Sequence, residues 1–247
     1  MSKIALIIAA GEGSRLIEEG SATIKPLIEL NGAPMVDRLI RILKEAGFDS
    51  IGMIINESSE AVKDYIVFKN FDIPIEFIVS DTPSSLHSFE KVVRLAGAGD
   101  SFYLFTVDTV FKTLEFKEFV EFCESSLQYD AIMGITSYID DEKPLYAEIK
   151  KDTIRAFRDE KNNCEFVTGG LYYFRRNPAF ELAECVNSGL SKLRNFLRFL
   201  IEKKYKIGYF DFSKIIDVDH ISDIKKAEVL LKNEIKHNLI NGIKGGQ

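Results

Sequence analysis

The sequence predicts an α/β protein, Rossmann-like, with a mixed central sheet flanked by helices. Three observations predict it. Lys3 to Ala9 is a near-continuous apolar run, as a central strand covered on both faces requires. Further apolar runs alternate with segments of helical spacing, as in Met35 to Ala46, where Val36, Leu39, Ile40 and Leu43 share one face and Gly47 follows. Beyond Thr136 the pattern shifts to short strands separated by polar turns, which adds a mixed-sheet insertion over the second half.

The remaining elements follow in order. Ser50 to Ile55, Ile75 to Val79, Phe102 to Val107 and Ala131 to Thr136 read as strands. Ser59 to Phe68, Leu86 to Leu95 and Lys117 to Ser126 read as helices, with Phe116, Phe119 and Phe122 at core spacing. Tyr146 to Ile149, Thr153 to Arg158 and Leu171 to Phe174 are short strands. Ala179 to Val186 and Lys192 to Glu202 are helices, Ile207 to Phe212 a strand, and Ser222 to Asn238 the last helix. No Pro/Gly/Ser-rich linker divides the chain, so residues 1–238 are expected to form a single domain and 239–247 a flexible tail.

The 247 residues suffice for one α/β core, and 46% hydrophobic with 28% charged residues is ordinary for a globular protein. A net charge of -6 disfavours nucleic acid as a partner, while a local basic pocket for a phosphorylated substrate stays open. Cys123, Cys164 and Cys185 are scattered, lack C-x-x-C spacing and read as reduced thiols of a cytoplasmic protein. The first apolar run is too short to cross a membrane and lacks a secretory pattern, so no membrane insertion is expected. An oligomer remains open.

The most informative segment is Ala9-Ala10-Gly11-Glu12-Gly13-Ser14-Arg15-Leu16, followed by Lys25-Pro26-Leu27. A glycine loop after a strand lets backbone N–H groups approach phosphate oxygens with no Cβ in the way. Arg15 offers a planar fork and Lys25 a point charge, the latter expected in a solvated loop. The third glycine of the dinucleotide fingerprint is missing, and Lys25 lies too far off for a Walker loop.

This segment resembles the sugar-phosphate nucleotidyltransferase family, with its nucleotide-diphospho-sugar transferase fold, whose motif is A-A-G-x-G-x-R-L, a gap, then K-P-L. Here eight residues, Ile17 to Ile24, fill the gap, without the family's P-L-T or its proline before the lysine. The resemblance extends over roughly Lys3 to Leu230. It implies that Ala9, Ala10, Gly11, Glu12, Gly13 and Ser14 cradle the nucleotide, with Ser85 and Ser88, in Ser85-Leu86-His87-Ser88, loosely matching the segment beside the base. Phe105-Thr106-Val107-Asp108 stands where the family's strand ends in an Mg²⁺-holding aspartate. Phe157-Arg158-Asp159-Glu160-Lys161 is similar to F-x-E-K, which places Lys161 at the acceptor phosphate. Val167-Thr168-Gly169-Gly170-Leu171-Tyr172-Tyr173-Phe174 is similar to the strand whose backbone lies along the acceptor, at Gly169 and Gly170. Ile216-Asp217-Val218-Asp219 resembles the segment supplying the second metal carboxylate. Asp217 and Asp219 fall on the same side of an extended segment, so either or both could face the metal, and the resemblance favours Asp217.

The function this implies is transfer of NMP from an NTP to a phosphorylated small molecule, a sugar 1-phosphate first, with release of pyrophosphate and with Mg²⁺ as cofactor. Arg15, Lys25 and Lys161 are the expected catalytic cations. Phosphocholine cytidylyltransferases share the fold and give the second reading, with Tyr146, Tyr172 and Tyr173 as aromatic candidates for a cationic acceptor. A non-catalytic nucleotide or sugar-phosphate sensor is the alternative of another class. The joint presence of Arg15, Lys25, Asp108 and Asp217 argues against it.

Overall fold

A computed structural model describes residues 2–97 and 99–244. Its centre is β1 (Ile4–Ala9), where alternate side chains enter opposite cores. Ala5, Ile7 and Ala9 face one hydrophobic cluster, and Leu6 and Ile8 the other. A short helix α1 (Ser14–Glu18) follows the glycine loop. A tight hairpin of β2 (Glu29–Leu30) and β3 (Ala33–Pro34) comes next, turned by Asn31 and Gly32, both at positive φ. Helix α2 (Met35–Glu45) leads to β4 (Ser50–Ile55), and α3 (Glu60–Lys69) to β5 (Ile75–Val79). Helix α4 (Ser85–Val92) then returns the chain to β6 (Phe102–Thr106).

Strands β5, β4, β1 and β6 lie side by side in that order, all parallel. The chain starts in the middle, runs outward to β5, and resumes on the other side at β6. The reversal leaves a crevice at the carboxyl ends of β1 and β6, the position where open α/β sheets bind ligands. The glycine loop leaves the first of these strands and Asp108 follows the second.

The second half builds the mixed part of the sheet. It comprises β7 (Thr109–Val110), α5 (Thr113–Ser125), β8 (Ala131–Thr136), β9 (Tyr146–Lys150), β10 (Thr153–Arg158) and β11 (Phe166–Phe174). It ends with α6 (Ala179–Asn187), α7 (Leu193–Glu202), β12 (Ile207–Phe212), β13 (Ile216–Asp217) and α8 (Ile221–Lys244). Strand β11 is antiparallel to β6, β8 and β9, and completes a nine-stranded sheet. Two-residue strands β7 and β13 pair apart from it, with Asp217 opposite Thr109.

One cluster joins α2, α3 and α5 to the sheet through rings such as Phe105, Phe116 and Phe119. The other joins α4, α6 and α7 through Phe89, Phe102, Phe174 and Phe196. Phe89 meets the last three within 6.1 Å, and removing such a ring generally costs roughly 3–5 kcal/mol. A third cluster, including Leu16, Leu30, Val110, Ile216, Val218 and Leu230, seats α1 and α8 against the β7–β13 pair.

Most expected strands recur to within a residue at each end, but β11 starts at Phe166, five residues before the expected Leu171, and the two-residue strands β2, β3, β7 and β13 are not anticipated by the sequence pattern. Helix α5 starts four residues earlier than expected, because Glu234 of α8 accepts a bond from the Leu114 N–H and so satisfies the helix start from outside. The expected tail, 239–247, is helical as far as Lys244, since no proline stops the run, and residues 245–247 lie outside the described residues. The three cysteines are buried free thiols. No described helix is long and apolar enough to cross a membrane.

Candidate active site

Gly13 stands at the start of α1 with φ +64°, a left-handed conformation that favours glycine, and a Cβ there would approach Lys25 Cβ to 3.0 Å. Gly11 opens onto space with no atom within 4 Å of a built Cβ. Of the eight residues expected at the nucleotide, Ala10, Gly11, Glu12, Gly13, Ser14, Ser85 and Ser88 line one cavity of about 520 Å³. Ala9 does not, because the strand alternation turns its side chain into the core with Ala5 and Ile7. Asn56, Asp81 and Thr82 also line this cavity. They are polar residues just past the ends of β4 and β5, and that position was the available signal for them.

Lys25 corrects the expectation of a solvated loop. It opens a 3-10 turn, is 8% exposed, and its Nζ lies 2.5 Å from Asp108 Oδ2 and 2.6 Å from Asp219 Oδ1. Burial opposes its charge, but Asp108 and Asp219 together outweigh burial and raise its pKa above the usual lysine value. Arg15, on the first turn of α1, donates from Nη1 to the other Asp219 oxygen at 2.7 Å. Asp219 therefore bridges the two cations of the phosphate loop.

Asp217 has a different environment. Thr109 Oγ1 donates to its Oδ1 at 2.8 Å. Burial, with the Asp108 charge adding to it, pushes its pKa up to about 7. Asp108 itself is pulled the other way: burial raises its pKa, but Lys25 outweighs that and holds it below the usual carboxylate value. The paired strands β7 and β13 set this arrangement, with the Val218 N–H donating to the Asp108 carbonyl at 3.1 Å.

Asp108, Asp217 and Asp219 share a second cavity, of about 300 Å³, with Gly169 and Gly170. Ser85 lines both cavities, so they adjoin. Lys161 is not in this central cavity. It is exposed and lines a larger outer one of about 720 Å³. Lys192 and Arg194, at the start of α7, line both the central and the outer cavity. The sequence showed them only as the start of a helix. Arg194 is steadied by Asp159 at 2.8 Å and by the Lys143 carbonyl at 2.7 Å. Of the tyrosine candidates, Tyr172 lines the central cavity and Tyr146 the outer one, while Tyr173 packs on Tyr103 in the core.

Among the described residues no group of three His, Cys, Asp or Glu forms a protein-only metal cage. The donor set suits Mg²⁺ in another way. Asp108 and Asp217 offer hard oxygens on an open cavity, and Mg²⁺ is commonly held by one or two carboxylates together with substrate phosphates. Asp219 pairs with both Lys25 and Arg15, Asp108 with Lys25, and Asp217 with neither among the described residues.

The profile of nucleotidyl transferases matches residues 4–234. The chain belongs to the nucleotidyl transferase family. The bifunctional protein GlmU of Staphylococcus epidermidis is 26% identical over 259 residues, which cover 98% of this chain and 56% of that protein. The chain thus spans about half the length of the curated relatives it matches over nearly its whole extent. The inositol-1-phosphate CTP transferase of T. maritima superposes with a TM-score of 0.79 at 15% identity, covering 94% of this chain and 96% of that one. A putative glucose-1-phosphate thymidylyltransferase from Bacillus anthracis gives 0.78 at 18%, covering 93% and 95%. These likenesses establish the shared fold: a mixed sheet with a parallel core between helices.

Proposed function

We propose that this nucleotidyl transferase moves NMP from an NTP to a phosphorylated small molecule and releases pyrophosphate, with Mg²⁺ as cofactor. The observation that carries the reading is that the glycine-loop cavity adjoins, at Ser85, the cavity lined by Asp108 and Asp217, with Lys25 bonded to Asp108 at 2.5 Å. A phosphate monoester is mostly dianionic near neutral pH, its second pKa being about 6, so its oxygen attacks the α-phosphorus without a general base. One new P–O bond forms, the bond to pyrophosphate breaks, and the remaining problem is charge. Arg15 and the Gly11–Gly13 N–H groups hold the outer phosphates, and Lys25 offsets charge at the α-phosphate. Asp108 and Asp217 would hold Mg²⁺, which would supply positive charge against that phosphate. Lys192 and Arg194 hold the acceptor phosphate, with Lys161 farther out.

A sugar 1-phosphate, or another cyclic polyol phosphate, is the first acceptor class, because the similar proteins bear names of that kind. A cationic acceptor such as phosphocholine is the second reading. It is favoured by the acidic run Asp140, Asp141 and Glu142, which lines a small cavity beside Asp217 together with Tyr138. The test is a matrix of CTP, UTP, GTP, dTTP and ATP against sugar 1-phosphates, inositol 1-phosphate and phosphocholine, read as pyrophosphate. Release with one pair supports transfer and names the acceptor. Tight nucleotide binding with no release from any pair makes the chain a sensor.

The acceptor side gives its own expectation. Arg194→Ala and Lys192→Ala should raise the acceptor KM by roughly tenfold or more, the scale of one charge-assisted hydrogen bond. NTP affinity by calorimetry should hold, and Lys161→Ala should act more weakly. A dominant effect of Lys161→Ala would return the acceptor phosphate to the outer cavity.

A further inference from the structure

Among the described residues, Asp217 pairs with no cation. Its one side-chain donor among them is a hydroxyl, Thr109 Oγ1 at 2.8 Å, and Thr109 Oγ1 lies 2.7 Å from Thr106 Oγ1. Each hydroxyl carries a single proton. With that of Thr109 directed at Asp217, only Thr106 can donate across the contact between the two threonines, and Thr106 also lies against Asp108. The result is a one-way chain, Thr106 to Thr109 to Asp217. Thr109 is 3% exposed and faces Asp217 across the β7–β13 pair, so its hydroxyl has no water to turn to instead.

Gly170 completes the arrangement. A Cβ built there would fall 2.0 Å from Thr106 Oγ1 and 2.1 Å from Thr109 Oγ1. Both contacts are with short, branched side chains that have no slack. Any side chain at 170 must push the two hydroxyls out of line. The missing side chain of Gly170 is the space in which the chain of hydroxyls sits.

We propose that Thr109, backed by Thr106 and given room by Gly170, is the positioning residue for the second carboxylate of the metal pair. The inference rests on the metal-dependent transfer proposed above. Thr109 fixes the rotamer of Asp217 so that both its oxygens need not be searched each time metal and nucleotide arrive. Partners of this kind, one bond behind a ligand, typically change metal affinity by about 10–100-fold when removed.

The experiment measures Mn²⁺ binding by electron paramagnetic resonance in the presence of a non-hydrolysable NTP analogue. Wild type is compared with Thr109→Val, Thr109→Ser and Thr106→Val. Thr109→Val keeps the shape and loses the hydroxyl, and should weaken Mn²⁺ by about tenfold or more. Thr109→Ser keeps the hydroxyl and should stay close to wild type, and Thr106→Val should fall between. Undiminished Mn²⁺ affinity in Thr109→Val, or an equal loss in Thr109→Ser, overturns the inference. Should Thr109→Val not fold, Thr106→Val and Gly170→Ala decide it, both being expected to weaken Mn²⁺, and wild-type affinity in both rejecting it. A wild type that binds neither the analogue nor Mn²⁺ brings down the transfer reaction itself. A wild type that binds both, beside an indifferent Thr109→Val, brings down only the role of Thr109.

Discussion

Asp217→Asn should lower kcat by on the order of 10³-fold, because a metal's charge stabilisation is worth several kcal/mol and each 1.4 kcal/mol is about a decade. Asp108→Asn should do the same, and the residual activity of both should require more Mg²⁺. Asp219→Asn should leave the Mg²⁺ requirement nearly unmoved, since that carboxylate faces Lys25 and Arg15. A Mg²⁺ titration of initial rates checks all three. A shift with Asp219→Asn and none with Asp217→Asn would reverse the assignment. The pKa of Asp217, raised to about 7 in the metal-free protein, adds a pH signature. Below that pH the metal must expel a proton, so Mg²⁺ affinity should fall by up to about tenfold per unit, and Asp217→Asn should lose this dependence. The same shift acts on folding. Between the ordinary carboxylate pKa of about 4 and about 7 the native protein keeps a proton that the unfolded chain has released. This group's contribution to metal-free stability therefore declines as pH rises through that window.

Lys25→Met should cut kcat by roughly 10²–10³-fold, the scale for losing one aligned charge donor in a transition state. It should also destabilise the fold, which a solvated lysine would not do. Removing one partner of a fully buried ion pair costs about 3–5 kcal/mol. The side chains of Asp108 and Asp219 are 23% and 35% exposed, so water screens part of that loss, and about 1–3 kcal/mol is expected. Methionine keeps the length of the stem, so the loss reports charge and not packing. Urea unfolding with and without Mg²⁺ should show the deficit and its partial recovery when the metal supplies the missing positive charge. A folded Lys25→Met with unchanged kcat would take Lys25 out of the reaction. Unchanged stability would mean that its two carboxylates are satisfied by water.

The long-period features were legible because they are local. Strands β1, β4, β6 and β8 announce themselves as apolar runs, and the burial of Val36, Leu39, Ile40 and Leu43 follows from helical spacing alone. What escaped was set by distant partners. Lys25 meets Asp108 and Asp219 across 83 and 194 residues, so its burial has no trace in the residues around it. Helix α5 gains its first turn from Glu234, about 120 residues on. Strands β7 and β13, two residues each, are too short to show an alternation, yet they bring Asp217 to Asp108. The carboxylates, the glycine loop and the Gly169–Gly170 pair stand out in the sequence only as what the resemblance to a known motif implies. Lys192 and Arg194 leave no mark in the sequence, because a basic residue opening a helix looks like any solvated helix end.

Strand β11 bears on how the site moves. It is bonded to β6 on one edge and β8 on the other, with β9 at its start, and Gly169 and Gly170 fall within the register shift between Thr168 and Tyr172. Its paired amides can exchange with solvent only when the sheet opens, at a cost near that of global unfolding. The Ala10–Gly13 loop, among the described residues, belongs to no ladder and can fluctuate locally. Gly169 and Gly170 have no register partner of their own but are held between paired stretches on either side, so on the reading proposed above the acceptor side would be the better anchored half of the site and the nucleotide side the more pliant one. On that reading a long, flexible polyphosphate would meet a surface that adjusts to it, and the acceptor one anchored in the sheet. Discrimination between acceptors would then be built into the backbone of the sheet, and tolerance toward the arriving nucleotide into a loop outside it.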